Sequence, residues 1–213
     1  MIPGVSALGI YPILDATFLA GRGVDPEEAA ARLGDSGVSL VQLRCKGSGG
    51  EFWSFAEGWM GALRRLAPRV RVIVNDRVDL ALALEADGVH VGQGDLPVTA
   101  CRRLMGPGRI VGLSTHSAEE VLRAEGAVGE GRPDYVGFGP VYGTTTKADA
   151  LSRRGVALLR EACGLTALPV AAIGGIRPEH WGELKQAGAS GAAMIGGLWG
   201  GDWHHALDQA KAW

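Results

Sequence analysis

A chain of 213 residues, 46% apolar and 21% charged, has the make-up of an ordinary globular protein and not of a disordered or fibrous one. Its formal net charge is −2, so nothing in the charge balance points to nucleic acid or an anionic membrane surface as a partner. No apolar run is long enough to span a membrane, and Met1 to Gly9 has neither the basic start nor the apolar core of a secretory leader. Cys45, Cys101 and Cys163 are widely spaced, without paired CxxC motifs or a disulfide framework. A reduced, cytoplasmic setting is expected. The length suits one domain spanning 1–213. Oligomeric state is left open, a homo-oligomer included. Glycine is the outlier at 34 residues, clustered where apolar runs end. That placement suits loops in which backbone approaches a ligand.

Short apolar runs recur along the chain: Leu8–Leu14, Ser39–Leu43, Val70–Val74, Gly88–Val91, Arg109–Leu113, Asp134–Phe138, Leu168–Ile173 and Ser190–Ile195. They are continuous, not alternating, as strands buried on both faces are. Between them stand helix-start signals at Asp25-Pro26-Glu27-Glu28, Leu96-Pro97, Ser117-Ala118-Glu119-Glu120 and Arg177-Pro178-Glu179. Each supplies an N-cap, a first-turn proline or early acidic groups. Strand–helix alternation repeated about eight times predicts a compact (β/α)₈ TIM barrel. An open doubly wound sheet is the alternative, but no GxGxxG follows the first run.

In a parallel barrel, chemistry gathers at the C-terminal ends of the strands. Polar residues fall there repeatedly. The second run ends in Gln42-Leu43-Arg44-Cys45-Lys46, the third in Asn75-Asp76-Arg77, the fourth in His90-Val91-Gly92-Gln93-Gly94-Asp95 and the fifth in Ser114-Thr115-His116. Gln42, Arg44 and Lys46 share one strand face. Unpaired buried charge makes a poor core, so an anionic ligand explains that row better. Asp76 alone reads as the N-cap of a helix from Val78, and His90 alone as a satisfied core histidine. Together, Asp76 and Asp95 end adjacent strands beside cations, an arrangement suited to Mg²⁺ bridging carboxylate to phosphate. The sixth run opens into Gly143-Thr144-Thr145-Thr146-Lys147, which offers N–H donors, hydroxyls and an ammonium to a second phosphate. Gly174-Gly175 and Gly196-Gly197 match the common phosphate site of this fold. The partners expected are small phosphorylated molecules.

Six segments taken in order carry a resemblance to a known family. They are Gln42-Leu43-Arg44-x-Lys46, Asn75 to Ala81, Gly88 to Asp95, Gly112 to His116, Gly137 to Lys147 and Ala172 to Ile176. Nearly the whole chain resembles the family that thiamine-phosphate synthases share with thiazole tautomerases. The resemblance implies condensation of hydroxymethylpyrimidine diphosphate with hydroxyethylthiazole phosphate, releasing pyrophosphate. It implies that Tyr11, Gln42, Arg44, Lys46, Asn75, Ser114 and Lys147 hold the pyrimidine diphosphate, with Arg44, Lys46, Ser114 and Lys147 closest to the chemistry. His90 is counted with the substrate-facing residues. Asp76 and Asp95 are the implied Mg²⁺ ligands, and Thr144, Thr146, Gly175 and Gly196 the implied thiazole-phosphate contacts.

Three departures stand out. Cys45 replaces the acidic residue usual between the Arg and Lys of this family, and Gly196 replaces a serine. Pro140 occupies the position of the tautomerases' catalytic histidine. Three readings follow: a Mg²⁺-dependent transferase, a thiazole-phosphate isomerase and a non-catalytic binder of thiamine phosphates. Pro140 opposes the isomerase, since a proline ring carries no titratable proton.

Overall fold

The computed structural model describes residues 7–143 and 154–213. Eight parallel strands close into a barrel in sequence order: β1 (Gly9–Asp15), β2 (Leu40–Arg44), β3 (Arg71–Asn75), β4 (Gly88–Val91), β5 (Ile110–Thr115), β6 (Tyr135–Phe138), β7 (Val170–Ile173) and β8 (Gly191–Met194). Closure is made where β1 pairs with β8, Gly9 opposite Gly191 and Pro12 opposite Met194. Around it lie α1 (Ala16–Ala20), α2 (Pro26–Asp35), α3 (Gly49–Leu66), α4 (Val78–Ala83), α5 (Val98–Met105), α6 (Ala118–Gly126), α7 (Gly155–Gly164), α8 (Trp181–Gln186), α9 (Gly196–Trp199) and α10 (Trp203–Asp208).

Strand periodicity sorts the core into two layers. Val41 and Leu43, Val72 and Val74, Val89 and Val91, and Val136 and Phe138 face outward against the helices. Leu8, Tyr11, Ile13, Leu40, Ile73, Ile110, Tyr135, Ala171 and Ala193 fill the barrel interior. Both layers are apolar, which explains why the strands read as unbroken runs. The interior layer has little room. A Cβ on Gly112 would lie 2.3 Å from Tyr135 Cζ and 2.5 Å from His90 Nδ1, so only hydrogen fits beside those rings.

Helix starts obey the local signals. Asp25 accepts from the backbone N–H groups of Glu27 and Glu28 at the head of α2, with Pro26 in its first turn. Ser117 accepts from Glu120 N at 3.3 Å to begin α6. At Pro178 the chain first makes a 3₁₀ turn, Pro178–His180, held by Arg177 N donating to His180 Nδ1, and α8 follows. The longest helix, α3, starts in a reciprocal capping box between Ser48 and Glu51. Asp76 does not cap α4. Arg77 stands at that position and makes no side-chain cap bond. No helix among the described residues is long and apolar enough to cross a membrane.

Candidate active site

The C-terminal ends of the strands surround a cavity of about 580 Å³. Arg44, Lys46, Asn75, Asp76, Asp95 and Ser114 line one side, and Gly139, Gly143, Gly174, Gly175, Gly196 and Gly197 line the other. Thr144, Thr146 and Lys147 lie outside the described residues.

Register brings the charged side together. Pairing of β1 with β2 sets Asp15 opposite Arg44. Their side chains form an ion pair with only 5% of Arg44 and 8% of Asp15 exposed. The other oxygen of Asp15 caps α1, accepting from Phe18 N at 3.0 Å. Arg44 is therefore a held cation. Its planar guanidinium has donors left over after one carboxylate. Lys46, one face-step further along, is exposed.

Asp76 follows β3 with a backbone φ of 63°, a left-handed conformation uncommon outside glycine. Its N–H donates to His90 O at 2.8 Å, which ties the end of β3 to β4. Asp95 sits in the turn after β4 and accepts from Gly92 N at 2.7 Å. Both carboxylates line the same cavity. Among the described residues no group of three or more His, Cys, Asp or Glu is placed to hold a metal. A pair suffices for Mg²⁺, which takes one or two carboxylates and completes its shell with water and substrate phosphate. The donor set fits.

Tyr11, Gln42 and His90 lie deeper than the cavity wall. Each is almost fully buried. Gln42 Nε2 donates to Tyr11 Oη at 3.1 Å, and Tyr11 Oη meets Tyr135 Oη at 2.9 Å. His90 Nδ1 lies 2.9 Å from Tyr135 Oη, and His90 Nε2 lies 2.9 Å from Ser114 Oγ. A smaller cavity of about 30 Å³ touches all five of these residues as well as Arg44 and Asn75. His90 is thus a satisfied interior histidine whose second nitrogen reaches a cavity residue. Burial pushes the hydroxyls of Tyr11 and Tyr135 well above the ordinary phenol range, so both stay protonated.

The glycine side is shaped by close approach of backbones. Val141 N donates to Ile173 O at 2.8 Å and Tyr142 N to Gly174 O at 3.0 Å, strapping the loop after β6 across the end of β7. A Cβ on Gly197 would fall 1.8 Å from Ile176 O, closer than any atom can approach. Gly175 has φ 61° and would bring a Cβ to 2.2 Å from Gly143 O. At the rim, Tyr142 stacks on His180 with ring centroids 4.0 Å apart and donates to Glu183 Oε2 at 2.8 Å. Phe18 from α1 and Arg22 from the turn after it also line the cavity, with Arg22 donating to Gly200 O at 2.9 Å.

Asp15 and Tyr135 are members of this assembly that sequence reasoning does not single out. Asp15 has a legible local sign, an acidic residue between an apolar run and a helix, but that signals only a cap. Tyr135 reads as one more residue of an apolar run.

Residues 10–198 match the model of the thiamine monophosphate synthase family. A thiamine-phosphate synthase of Syntrophomonas wolfei is 41% identical over 198 residues, covering 92% of this chain and 90% of that protein. One from Caldanaerobacter subterraneus is 41% identical over 197 residues, covering 91% and 87%. The solved thiamine phosphate pyrophosphorylase of Pyrococcus furiosus superposes with a TM-score of 0.78 at 29% identity, over 96% of this chain and 94% of that one. A charged half-mouth, a glycine half-mouth and this likeness along nearly the full length lead to one conclusion: the chain belongs to the thiamine monophosphate synthase family.

Proposed function

We propose that the cavity joins hydroxymethylpyrimidine diphosphate to hydroxyethylthiazole phosphate, forming thiamine phosphate and releasing pyrophosphate. The carbon–oxygen bond between the pyrimidine methylene and the diphosphate breaks, and its electron pair leaves with pyrophosphate. The thiazole nitrogen then supplies the pair for the new carbon–nitrogen bond. No protein nucleophile is needed. The observation that carries the reading is the two-sided lining of a single cavity, which has room for two anionic groups facing each other.

On the charged side, Arg44, Lys46 and Ser114 take up the growing charge of the departing diphosphate, with Asn75 orienting it, and the resemblance gives Lys147 a share in the same task. Gln42, Tyr11 and His90 support the pyrimidine from below. Asp76 and Asp95 would hold Mg²⁺, which when bound neutralises charge on the departing diphosphate. Gly175, Gly196, Thr144 and Thr146 receive the thiazole phosphate. Cys45 takes no part: it packs against the outer core, and its Sγ accepts from Gly47 N at 3.4 Å. Asp15 provides the carboxylate that holds Arg44, a service a residue at position 45 need not perform. Pro140 lines the cavity without any proton to exchange, so isomerisation of the thiazole is not expected.

The deciding assay mixes both substrates with Mg²⁺ and scores thiamine phosphate. Formation that stops when Mg²⁺ is chelated supports the transferase and its metal. Thiazole isomerisation without condensation, or binding of thiamine phosphate without turnover, refutes it.

A further inference from the structure

Five side chains from five strands form one hydrogen-bonded line beneath the cavity: Gln42, Tyr11, Tyr135, His90 and Ser114, with separations of 3.1, 2.9, 2.9 and 2.9 Å in that order. Such a line can be polarised in either of two directions. Its first member selects one. An amide N–H of Gln42 can only donate, so Tyr11 Oη accepts it; among the described residues Tyr135 Oη is the other partner of that hydroxyl and so the acceptor for its own hydrogen. Tyr135 in turn donates to His90 Nδ1. That nitrogen then carries no proton, so a neutral imidazole holds its proton on Nε2 and donates to Ser114 Oγ. The serine, with a lone pair occupied from below, has its hydroxyl hydrogen left for the cavity that it lines.

We infer that Gln42 polarises this line so that Ser114 points a hydroxyl donor into the cavity, which makes Tyr135 a positioning residue acting through His90 and Ser114. The reverse polarity would have the opposite chemical meaning. The Ser114 hydrogen would be tied down by His90, and only oxygen lone pairs would face the anionic substrate. The donor polarity suits a departing diphosphate, and to that extent the inference rests on the transferase reading. It involves hydrogen bonds alone, with no proton transferred. Two features keep the line in place. Burial holds both phenols in the neutral, donating form, and Gly112 leaves space for Tyr135 and His90 to meet, since a Cβ there would collide with both.

The polarity can be measured without substrate. In ¹⁵N-histidine-labelled full-length protein, held well above the ordinary histidine pKa of about 6.5, the two ring nitrogens of His90 have distinct resonances. An unprotonated Nδ1 with a protonated Nε2 is expected, and a protonated Nδ1 overturns the assignment. Tyr135→Phe, which keeps the ring and removes the hydroxyl at 2.9 Å, should shift the Nδ1 resonance from its wild-type position. The same variant should lower kcat about tenfold, roughly the worth of one net hydrogen bond, and leave both KM values in place. In a Ser114→Ala background Tyr135→Phe should cost nothing further in kcat, because its effect passes through the serine. Additive losses, or an unchanged kcat in the single variant, would sink the positioning role. If the wild type fails to make thiamine phosphate yet shows the unprotonated Nδ1, the functional reading falls and the polarity stands. If an active enzyme shows a protonated Nδ1, the polarity falls and the functional reading stands.

Discussion

The two sides of the cavity are built by different means. On the side of β2 to β5, charged and polar side chains form the wall, and three of them are fixed by a neighbour: Arg44 by Asp15, Ser114 by His90, Asp95 by Gly92 N. On the side of β6 to β8 glycine backbone forms much of the wall, packed so closely that a methyl group at Gly197 or Gly175 would overlap a carbonyl oxygen. The first side fails when a group is taken away, the second when an atom is added. Substitutions that test the two sides are therefore opposite in kind.

The largest effect is expected from Asp15→Ala. Removing one member of a buried ion pair strands the other, at a cost of about 3–5 kcal/mol. The midpoint of denaturant unfolding should drop accordingly, and pyrophosphate binding should weaken because Arg44 loses its anchor. A variant that unfolds like wild type would show that Arg44 is held some other way. Next come Asp76→Ala and Asp95→Ala. Each should reduce Mg²⁺-dependent turnover about a hundredfold or more while the fold survives, as measured by kcat beside circular dichroism. Near-normal turnover in either would remove that residue from the metal assignment.

Gly197→Ala tests the opposite wall. Overpacking of this kind costs about 1–3 kcal/mol, and the displaced loop should raise KM for the thiazole phosphate more than for the pyrimidine diphosphate. Equal changes in the two constants would mean that the two halves are not separate subsites. The smallest effect belongs to the rim. Burial, reinforced by the Glu183 carboxylate, pushes the Tyr142 hydroxyl from its ordinary 10 up to about 12. A raised value means that the contribution is whole below pH 10 and is lost as pH climbs from 10 towards 12. Tyr142→Phe should be modestly less stable than wild type at neutral pH, and the gap should close through that alkaline window. A gap that stays constant there would mean the hydroxyl contributes nothing that depends on its proton.

The same contrast explains what could be read from the sequence. The eight strands were legible because strands buried on both faces leave continuous apolar runs, and each observed strand overlaps its expected run to within one or two residues at either end. The starts of α2 and α6 were legible from Asp25 and Ser117, since capping is a local bond. The start of α3 carried an equally clear sign, Ser48 with Glu51 three residues on, and could have been found the same way. What stayed hidden is non-local. The pairing of Asp15 with Arg44 exists only once β1 and β2 are in register. Tyr135 gains its meaning only when ring closure brings its hydroxyl to Tyr11 and His90. On the other wall, a glycine signals that backbone comes close but not which backbone, and the meeting of Gly197 with Ile176 O is a product of the closed barrel.

Engineering for stability would collide with Asp76. Its φ of 63° is one that glycine or asparagine adopts more readily, so a library screened for heat resistance alone should drift away from aspartate there. Each such gain would discard a carboxylate from the cavity. With the metal-holding role proposed for Asp76, the position marks a trade between endurance and chemistry, and a thermostable descendant that keeps the carboxylate has to find its extra kilocalories elsewhere.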